Sequence, residues 1–349
     1  MSTRQKFGKS VGSILSLKGN YIEENTFKLE KAKHTATKYL QQPKRVHCKN
    51  CDKKLSILSF EKLGIGYSIC KYCGHLNGLH EDTEKFCNFI YTLNEGKNYA
   101  KGYHEQDKVA YDKRLQEIYI PKAQFLMDSL HEQNEDTESL AYTDLGAGSG
   151  YFLWALYEIG LKNIVGYEVS KSQIDFAHKM TGQEFIIQHQ LHEILSIVQH
   201  LECDVVSLIG VLEHVQQPSD LLEALSINKH IKYIYFSLPL FSPCIFFEMI
   251  FQDVYPRILT EGHTHLYTNA SIEYFCKEFK FNRIAEWWFG LDIIDLYRCV
   301  YMKLGNSEKT NKMLQEWETI FFPLLDDLQL VLDQNRASSE VHFLVKKNI

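Results

Sequence analysis

The chain has 349 residues, of which 45% are apolar and 23% charged, and its formal net charge is −6. This composition is typical of a globular protein with a sizeable core and, from its length, about two domains. The acidic balance argues against a protein whose main partner is nucleic acid, because such a protein carries a basic excess.

No segment of the sequence has the features of a membrane span or a secretion signal. The longest uncharged apolar run, residues 233–247, is interrupted by Pro239 and Pro243 and is shorter than the roughly 20 residues of a span. The first 40 residues are polar and rich in lysine, without the apolar region of a signal peptide. We therefore expect a cytoplasmic protein.

The first part of the chain divides into three blocks. Residues 1–46 are predicted to be a leader followed by a helix over 23–40, which contains no Gly or Pro. Residues 47–80 contain two pairs of cysteines, and residues 81–135 are predicted to be a helical linker or lid.

The cysteine pairs have the spacing of a metal site. Cys48 and Cys51 form one C-x-x-C pair, and Cys70 and Cys73 form a second, with 18 residues between the two pairs. In a reducing compartment this spacing predicts a four-cysteine zinc ribbon rather than disulfides. Because four thiolates fill a tetrahedral shell, this zinc is expected to be structural, and His75 beside the second pair a bystander.

Residues 136–349 alternate between strands and helices. This alternation predicts a parallel α/β sheet with helices on both faces. Strands are predicted at 141–145, 164–168, 184–188, 204–209, 233–238, 283–288 and 340–345, and helices at 151–159, 171–180, 219–226 and 270–279. Insertions at 241–262 and 292–335 are the predicted walls of a substrate pocket.

The most informative segment is Tyr142-Thr-Asp-Leu-Gly-Ala-Gly-Ser-Gly150, which ends a predicted strand and begins a helix. Its three glycines allow a tight turn that a ligand can approach closely. Glu168, at the end of the next strand, is placed to accept hydrogen bonds from a ribose diol.

A nicotinamide-binding turn is the main competing interpretation. That turn requires its third glycine three places after the second, where this chain has Tyr151. The acid before the glycines, Asp144, also suits a cationic ligand better than a pyrophosphate.

With these residues, the segment from about 95 to 349 resembles the S-adenosylmethionine-dependent methyltransferases. Residues 208–215 (Leu-Ile-Gly-Val-Leu-Glu-His-Val) resemble the fourth motif of that family, and residues 262–268 resemble a segment common after its fifth strand. The resemblance implies a Rossmann-like sheet of seven strands whose last strand is antiparallel. It also implies that Asp144 supports the methionine amino group and that Glu168 holds the ribose. The implied cofactor-binding residues are Tyr103, Asp144, Gly146, Ala147, Gly148, Glu168 and Gly210.

A zinc ribbon ahead of such a domain resembles bacterial methyltransferases that act on sugars. The implied substrate is a small glycosyl acceptor, either a nucleotide-linked sugar or a surface-polysaccharide precursor, and the acceptor atom stays open among O, N and C. Two other classes are weighed: a methyltransferase of RNA or protein with the ribbon as docking module, and a non-catalytic zinc-ribbon adaptor.

Three histidines are the candidates for a general base that takes the acceptor proton. His263 is preferred, because it follows the 241–262 insertion and because a histidine in this segment is the base in the resembling sugar methyltransferases. His214 and His265 are the alternatives. Some methyltransferases bind a divalent metal through Glu-x-x-Glu-His at the fourth motif, but here Gly210 replaces the first acid.

Overall fold

The computed structural model describes residues 3–12, 22–56, 58–92, 107–259 and 262–348, which form two β-sheets and the helices around them. The larger sheet has eight strands and the smaller has four. The strands of the larger sheet are β1 (Arg4–Phe7), β5 (Tyr142–Leu145), β6 (Ile164–Glu168), β7 (Ile186–Gln188), β8 (Val205–Ile209), β9 (Tyr233–Pro239), β11 (Phe281–Phe289) and β12 (Glu340–Lys347). Those of the smaller sheet are β2 (Phe60–Lys62), β3 (Ile65–Ile69), β4 (Leu76–Gly78) and β10 (His265–Leu266).

The larger sheet has the order β1-β11-β12-β9-β8-β5-β6-β7. Strands β5 to β9 pair in parallel, whereas β12 lies antiparallel between β9 and β11. All seven predicted strands are therefore present, and the predicted antiparallel direction of the last strand is confirmed.

The eighth strand, β1, comes from the segment predicted to be a leader. It pairs in parallel with β11, with Arg4 opposite Ala285 and Phe7 opposite Trp288. Its sequence, Arg-Gln-Lys-Phe, has little apolar content, because an edge strand has one free side and buries few of its side chains.

Helices cover both faces of the larger sheet. In chain order the helices are α1 (Asn25–Tyr39), α2 (Glu84–Tyr91), α3 (Lys108–Arg114), α4 (Ile120–His131), α5 (Tyr151–Glu158), α6 (Lys171–Thr181), α7 (Ile194–His200), α8 (Pro218–Ile227), α9 (Pro243–Ile250), α10 (Asn269–Glu278), α11 (Asp292–Gly305), α12 (Leu314–Phe321) and α13 (Leu325–Gln334). A π-helical turn, Leu115–Tyr119, joins α3 to α4. A short 3-10 turn that contains Pro323 joins α12 to α13.

The core follows the alternation of side chains along the strands. In β9, Ile234 and Phe236 pack on one face with α7, α8 and α10, while Tyr233 and Tyr235 pack on the other face with α4 and α5. Because successive side chains point to opposite faces, both faces of a central strand must be apolar. This explains why β9 is an apolar run without polar alternation.

The smaller sheet contains the cysteine segment but does not have a core of its own. Its fourth strand, β10, belongs to the histidine segment after the first insertion and pairs with β4. Tyr67 and Leu76 of this sheet share a buried cluster with α1, α2 and the insertion residues Ile245 and Leu259. The smaller sheet and the first insertion therefore share one interior.

None of the described helices is both long and apolar enough to cross a membrane.

Candidate functional site

A cavity of about 1210 Å³ opens at the carboxyl ends of β5, β6, β8 and β9. This is the edge at which open parallel sheets bind ligands. Among the predicted cofactor residues, Asp144, Gly146, Ala147, Gly148, Glu168 and Gly210 all line it. Tyr103, the predicted lid residue, lies outside the described residues.

The glycine turn after β5 has the backbone that its sequence predicts. Gly146, Gly148 and Gly150 have φ of +71°, +55° and +73°, in the left-handed region that side chains disfavour. A Cβ on Gly146 would lie 2.6 Å from Cγ2 of Val211, so glycine is also required by space. The turn is closed by the Gly146 amide, which donates to the Tyr167 carbonyl at 2.8 Å.

Glu168 is fixed at the end of β6 by backbone donors. The amides of Gly148, Val169 and Ser170 donate to its carboxylate at 2.8, 2.9 and 2.8 Å. Burial raises the pKa of Glu168, and these three bonds counteract the rise. The carboxylate lines the cavity and is 6% exposed, so it is preorganised to accept a hydroxyl of a ligand.

Asp144 lies deeper, at 2% exposure, and accepts a hydrogen bond from Ser207 Oγ at 2.5 Å. Burial raises its pKa to about 7, although the bond from Ser207 acts to lower it. A cationic ligand in the cavity would offset this burial, because an opposite charge favours the ionised carboxylate.

The three candidate histidines separate into two environments. His214 and His263 line the cavity, and their rings stack with centroids 5.0 Å apart. His265 does not line it: it is 1% exposed in β10 and bonds His75 at 2.8 Å. His75, predicted to be a bystander, therefore joins the cysteine segment to the histidine segment.

His263 and His214 differ in their hydrogen bonds. His263 Nδ1 lies 2.8 Å from the Ile258 carbonyl, which can only accept, so Nδ1 carries the proton and Nε2 is the acceptor nitrogen of the neutral ring. His214 Nδ1 lies 2.8 Å from the Tyr91 hydroxyl. Burial and the neighbouring His263 hold the pKa of His214 well below its ordinary value.

Glu213 lies beside these two histidines. It is 3% exposed, and burial raises its pKa to about 8. Glu213, His214 and His263 each bring one potential ligand atom within 4.8 Å of the others, a set that suits a cation. Gly210 supplies no side chain to this set, as the sequence predicts.

The lining of the cavity also contains a charged pair that sequence reasoning missed. Glu340 Oε1 lies 3.5 Å from Lys122 Nζ and accepts from His342 Nε2 at 2.9 Å. Burial acts to raise the pKa of Glu340, but Lys122 and the His342 bond hold it well below its ordinary value. The only sequence signal was the position of Glu340 at the start of the last strand, because Lys122 lies in a helix more than 200 residues earlier.

The four predicted metal-binding cysteines come together in the smaller sheet. The Sγ atoms of Cys48 and Cys73, and those of Cys51 and Cys70, are each 3.6 Å apart, and all four lie within 4.8 Å of one another. In a tetrahedral zinc site with Zn–S of about 2.3 Å, the sulfurs are about 3.8 Å apart. The donor set and its spacing are therefore compatible with zinc.

The sequence of the chain matches one protein family. Residues 111–286, half of the chain, match the family described as "Methyltransferase domain" (Methyltransf_23). No curated protein matches the chain.

Solved structures give low-identity matches. One is magnesium protoporphyrin IX methyltransferase from Synechocystis PCC 6803 with bound S-adenosylhomocysteine, at 12% identity and a TM-score of 0.45, covering 75% of this chain and 97% of that one. Another is an S-adenosylmethionine-dependent methyltransferase from Clostridium acetobutylicum ATCC 824, at 13% identity and a TM-score of 0.40, covering 68% and 96%. By the match of its sequence to the family, the chain belongs to the class I methyltransferases and is an S-adenosylmethionine-dependent methyltransferase.

Proposed function

We propose that the enzyme methylates a small glycosyl acceptor and that His263 is the general base. The observation that carries the proposal is the position of His263, whose acceptor nitrogen is Nε2, in the cavity that contains the cofactor residues. The cavity of about 1210 Å³ exceeds the ~300–1,000 Å³ typical of a pocket for one small ligand, so it has room for cofactor and acceptor together.

The methyl donor supplies an electrophilic carbon, and the protein supplies alignment and proton removal. The acceptor atom forms a bond to this carbon as the carbon–sulfur bond breaks and its electron pair goes to sulfur. The acceptor proton goes to Nε2 of His263, while Nδ1 keeps its bond to the Ile258 carbonyl. His214 is the weaker candidate, because its depressed pKa makes it a poor proton acceptor.

Glu340 and Lys122 support a polyhydroxylated acceptor. A carboxylate and an ammonium held side by side can accept from one hydroxyl and donate to the next. Ser237 Oγ, 3.3 Å from Glu340 Oε1, also lines the cavity. This arrangement matches the alternating donors and acceptors of a sugar ring.

We also propose that Cys48, Cys51, Cys70 and Cys73 hold a structural zinc ion. Four sulfur ligands would close the coordination shell and leave no position for substrate. The role of this ion is to hold the smaller sheet together, including the strand β10 that follows His263.

The test is a methyl-transfer screen with nucleotide-linked sugars, alongside RNA and protein as competing acceptors. His263→Ala should lower turnover on the accepted sugar by about 10²–10⁴-fold and leave cofactor affinity unchanged. His230→Ala, which removes an exposed histidine before β9, is the matched control and should have wild-type turnover.

Three results would contradict parts of the proposal. Methylation of RNA or protein, and of no sugar, would exclude a glycosyl acceptor. Wild-type turnover in His263→Ala with loss in His214→Ala would move the base to His214. A requirement for an added divalent cation would instead assign Glu213, His214 and His263 to metal binding.

A further inference from the structure

The first insertion contains a buried carboxylate that no ligand role explains. Glu248, in α9, is 3% exposed. Its Oε1 accepts from the Ile258 amide at 2.7 Å, and its Oε2 accepts from the Leu259 amide at 2.9 Å. Both carboxylate oxygens thus hold consecutive residues of the loop that precedes His263.

Ile258 also contacts the proposed base, His263, through its carbonyl. The Ile258 amide binds Glu248, and the Ile258 carbonyl accepts from His263 Nδ1 at 2.8 Å. Both bonds are made by the backbone of one residue, so a displacement of Ile258 away from Glu248 would move the carbonyl that fixes the His263 ring.

Hydrogen bonds from Lys62 and Arg257 hold the helix and the loop that Glu248 joins. Lys62 of β2 donates to the Glu248 carbonyl at 2.5 Å, which ties α9 to the smaller sheet. Arg257, directly before Ile258, donates from Nε to Asp295 at 2.7 Å and from Nη2 to Ser339 Oγ at 3.0 Å. Ile258 and Leu259 are themselves 3% and 2% exposed, so these two residues are packed as part of the interior.

We propose that Glu248 is a positioning residue for His263: by holding Ile258 and Leu259 it presents the carbonyl that keeps the His263 proton on Nδ1. This rests on the proposed function, in which Nε2 of His263 takes the acceptor proton. Nδ1 protonation is the condition for that role, because the neutral ring has one acceptor nitrogen only.

The direct test is ¹⁵N NMR of the full-length protein labelled at histidine. The signals of His263 are identified by their loss in His263→Ala. In the wild type they should show a neutral ring protonated at Nδ1. In Glu248→Gln the side-chain amide opposes one backbone amide donor to donor, so the loop should loosen and the His263 signals should shift toward a mixture of both tautomers.

Asp333→Asn is the matched control, because it also neutralises a buried carboxylate but lies in α13, where it binds Gln329. It should leave the His263 signals unchanged. Affinity for S-adenosylhomocysteine, measured by calorimetry, should be unchanged in Glu248→Gln, since Glu248 does not line the cavity.

If Glu248→Gln does not fold, amide hydrogen exchange of the wild-type protein tests the same contacts. The Ile258 and Leu259 amides should exchange with solvent at least about tenfold more slowly than exposed loop amides, because both bind a buried carboxylate. Fast exchange there, or an unchanged Nδ1 tautomer in folded Glu248→Gln, would overturn the positioning role. Wild-type turnover in His263→Ala would instead overturn the proposed base and leave the NMR result standing.

Discussion

Two carboxylates at neighbouring strand ends have different surroundings. Glu168 accepts three backbone amides, whereas Asp144 accepts one hydroxyl and is buried more deeply. Backbone amides favour the ionised form of Glu168, and burial favours the protonated form of Asp144. The cavity therefore contains two carboxyl groups with different properties: Glu168 is a fixed hydrogen-bond acceptor, and Asp144 is a titratable group.

Replacing Glu168 by alanine should weaken cofactor binding by about 1.5–3 kcal/mol, or about 10- to 150-fold, because a hydrogen bond to a charged group is lost. Calorimetry with S-adenosylmethionine and its demethylated product measures the change. Glu158→Ala, at an exposed position at the end of α5, is the control and should bind as the wild type does. Tight binding of NAD instead would contradict the cofactor assignment.

The raised pKa of Asp144 predicts that cofactor affinity depends on pH. The carboxyl is mostly protonated below its pKa of about 7. A ligand with a protonated amino group favours the ionised form, so it must displace a proton at low pH. Affinity should therefore rise as pH increases toward 7, by at most about tenfold per pH unit, and then level off.

Calorimetry of cofactor binding between about pH 5.5 and 7 checks this dependence. Asp144→Asn has no titratable carboxyl and should give a flat profile in this range. An equal slope in wild type and Asp144→Asn would show that another group titrates.

At the scale of elements, short-range sequence patterns predicted the features that depend on neighbouring residues. The strand and helix alternation gave all seven strands of the methyltransferase sheet, and the glycine spacing gave the turn after β5. Two pairings could not be read in this way, because β1 with β11 and β10 with β4 join segments nearly 200 or more residues apart. Lys122 and Glu340 are also far apart in the sequence, and they meet because α4 packs on the larger sheet.

The smaller sheet reaches the histidine segment through β10, whereas the four cysteines are not among the residues that line the cavity. Cys51→Ser should abolish zinc binding, lower the melting temperature and reduce turnover by about 10²-fold, the effect of a roughly 1 Å misplacement of a catalytic group. The physical reason is that β10, two residues after His263, pairs with β4 of the cysteine sheet. Cofactor affinity should persist, because the glycine turn is in the other sheet.

Elemental analysis measures the zinc content, calorimetry measures the melting temperature and the cofactor affinity, and a methyl-transfer assay measures the turnover. Cys203→Ser changes a buried cysteine of the main core and is the control, which should keep its zinc. Zinc-free Cys51→Ser with wild-type turnover would show that the cysteine site does not support the histidine segment.

At the scale of the whole molecule, β1 closes a sheet whose other strands come from residues 142–347. Besides its ladder with β11, the segment accepts a hydrogen bond at the Gly8 carbonyl from Trp287 Nε1 at 2.8 Å. Lys6 Nζ lies 3.8 Å from the centre of the Trp287 ring. These contacts stabilise the edge of β11 that faces away from β12.

Deleting residues 1–9 should therefore lower the free energy of unfolding by about 3 kcal/mol and the melting temperature by about 4 °C. It should also expose the edge of β11 to pairing with other chains, which light scattering would detect as association. Cofactor affinity should not change, because five strand spacings, about 24 Å, separate β1 from β5.

Gln5→Ala, at an exposed position of β1, is the control and should melt as the wild type does. An unchanged melting temperature in the deletion would mean that β1 adds nothing to the sheet, and lost cofactor binding would mean that its contribution reaches the glycine turn.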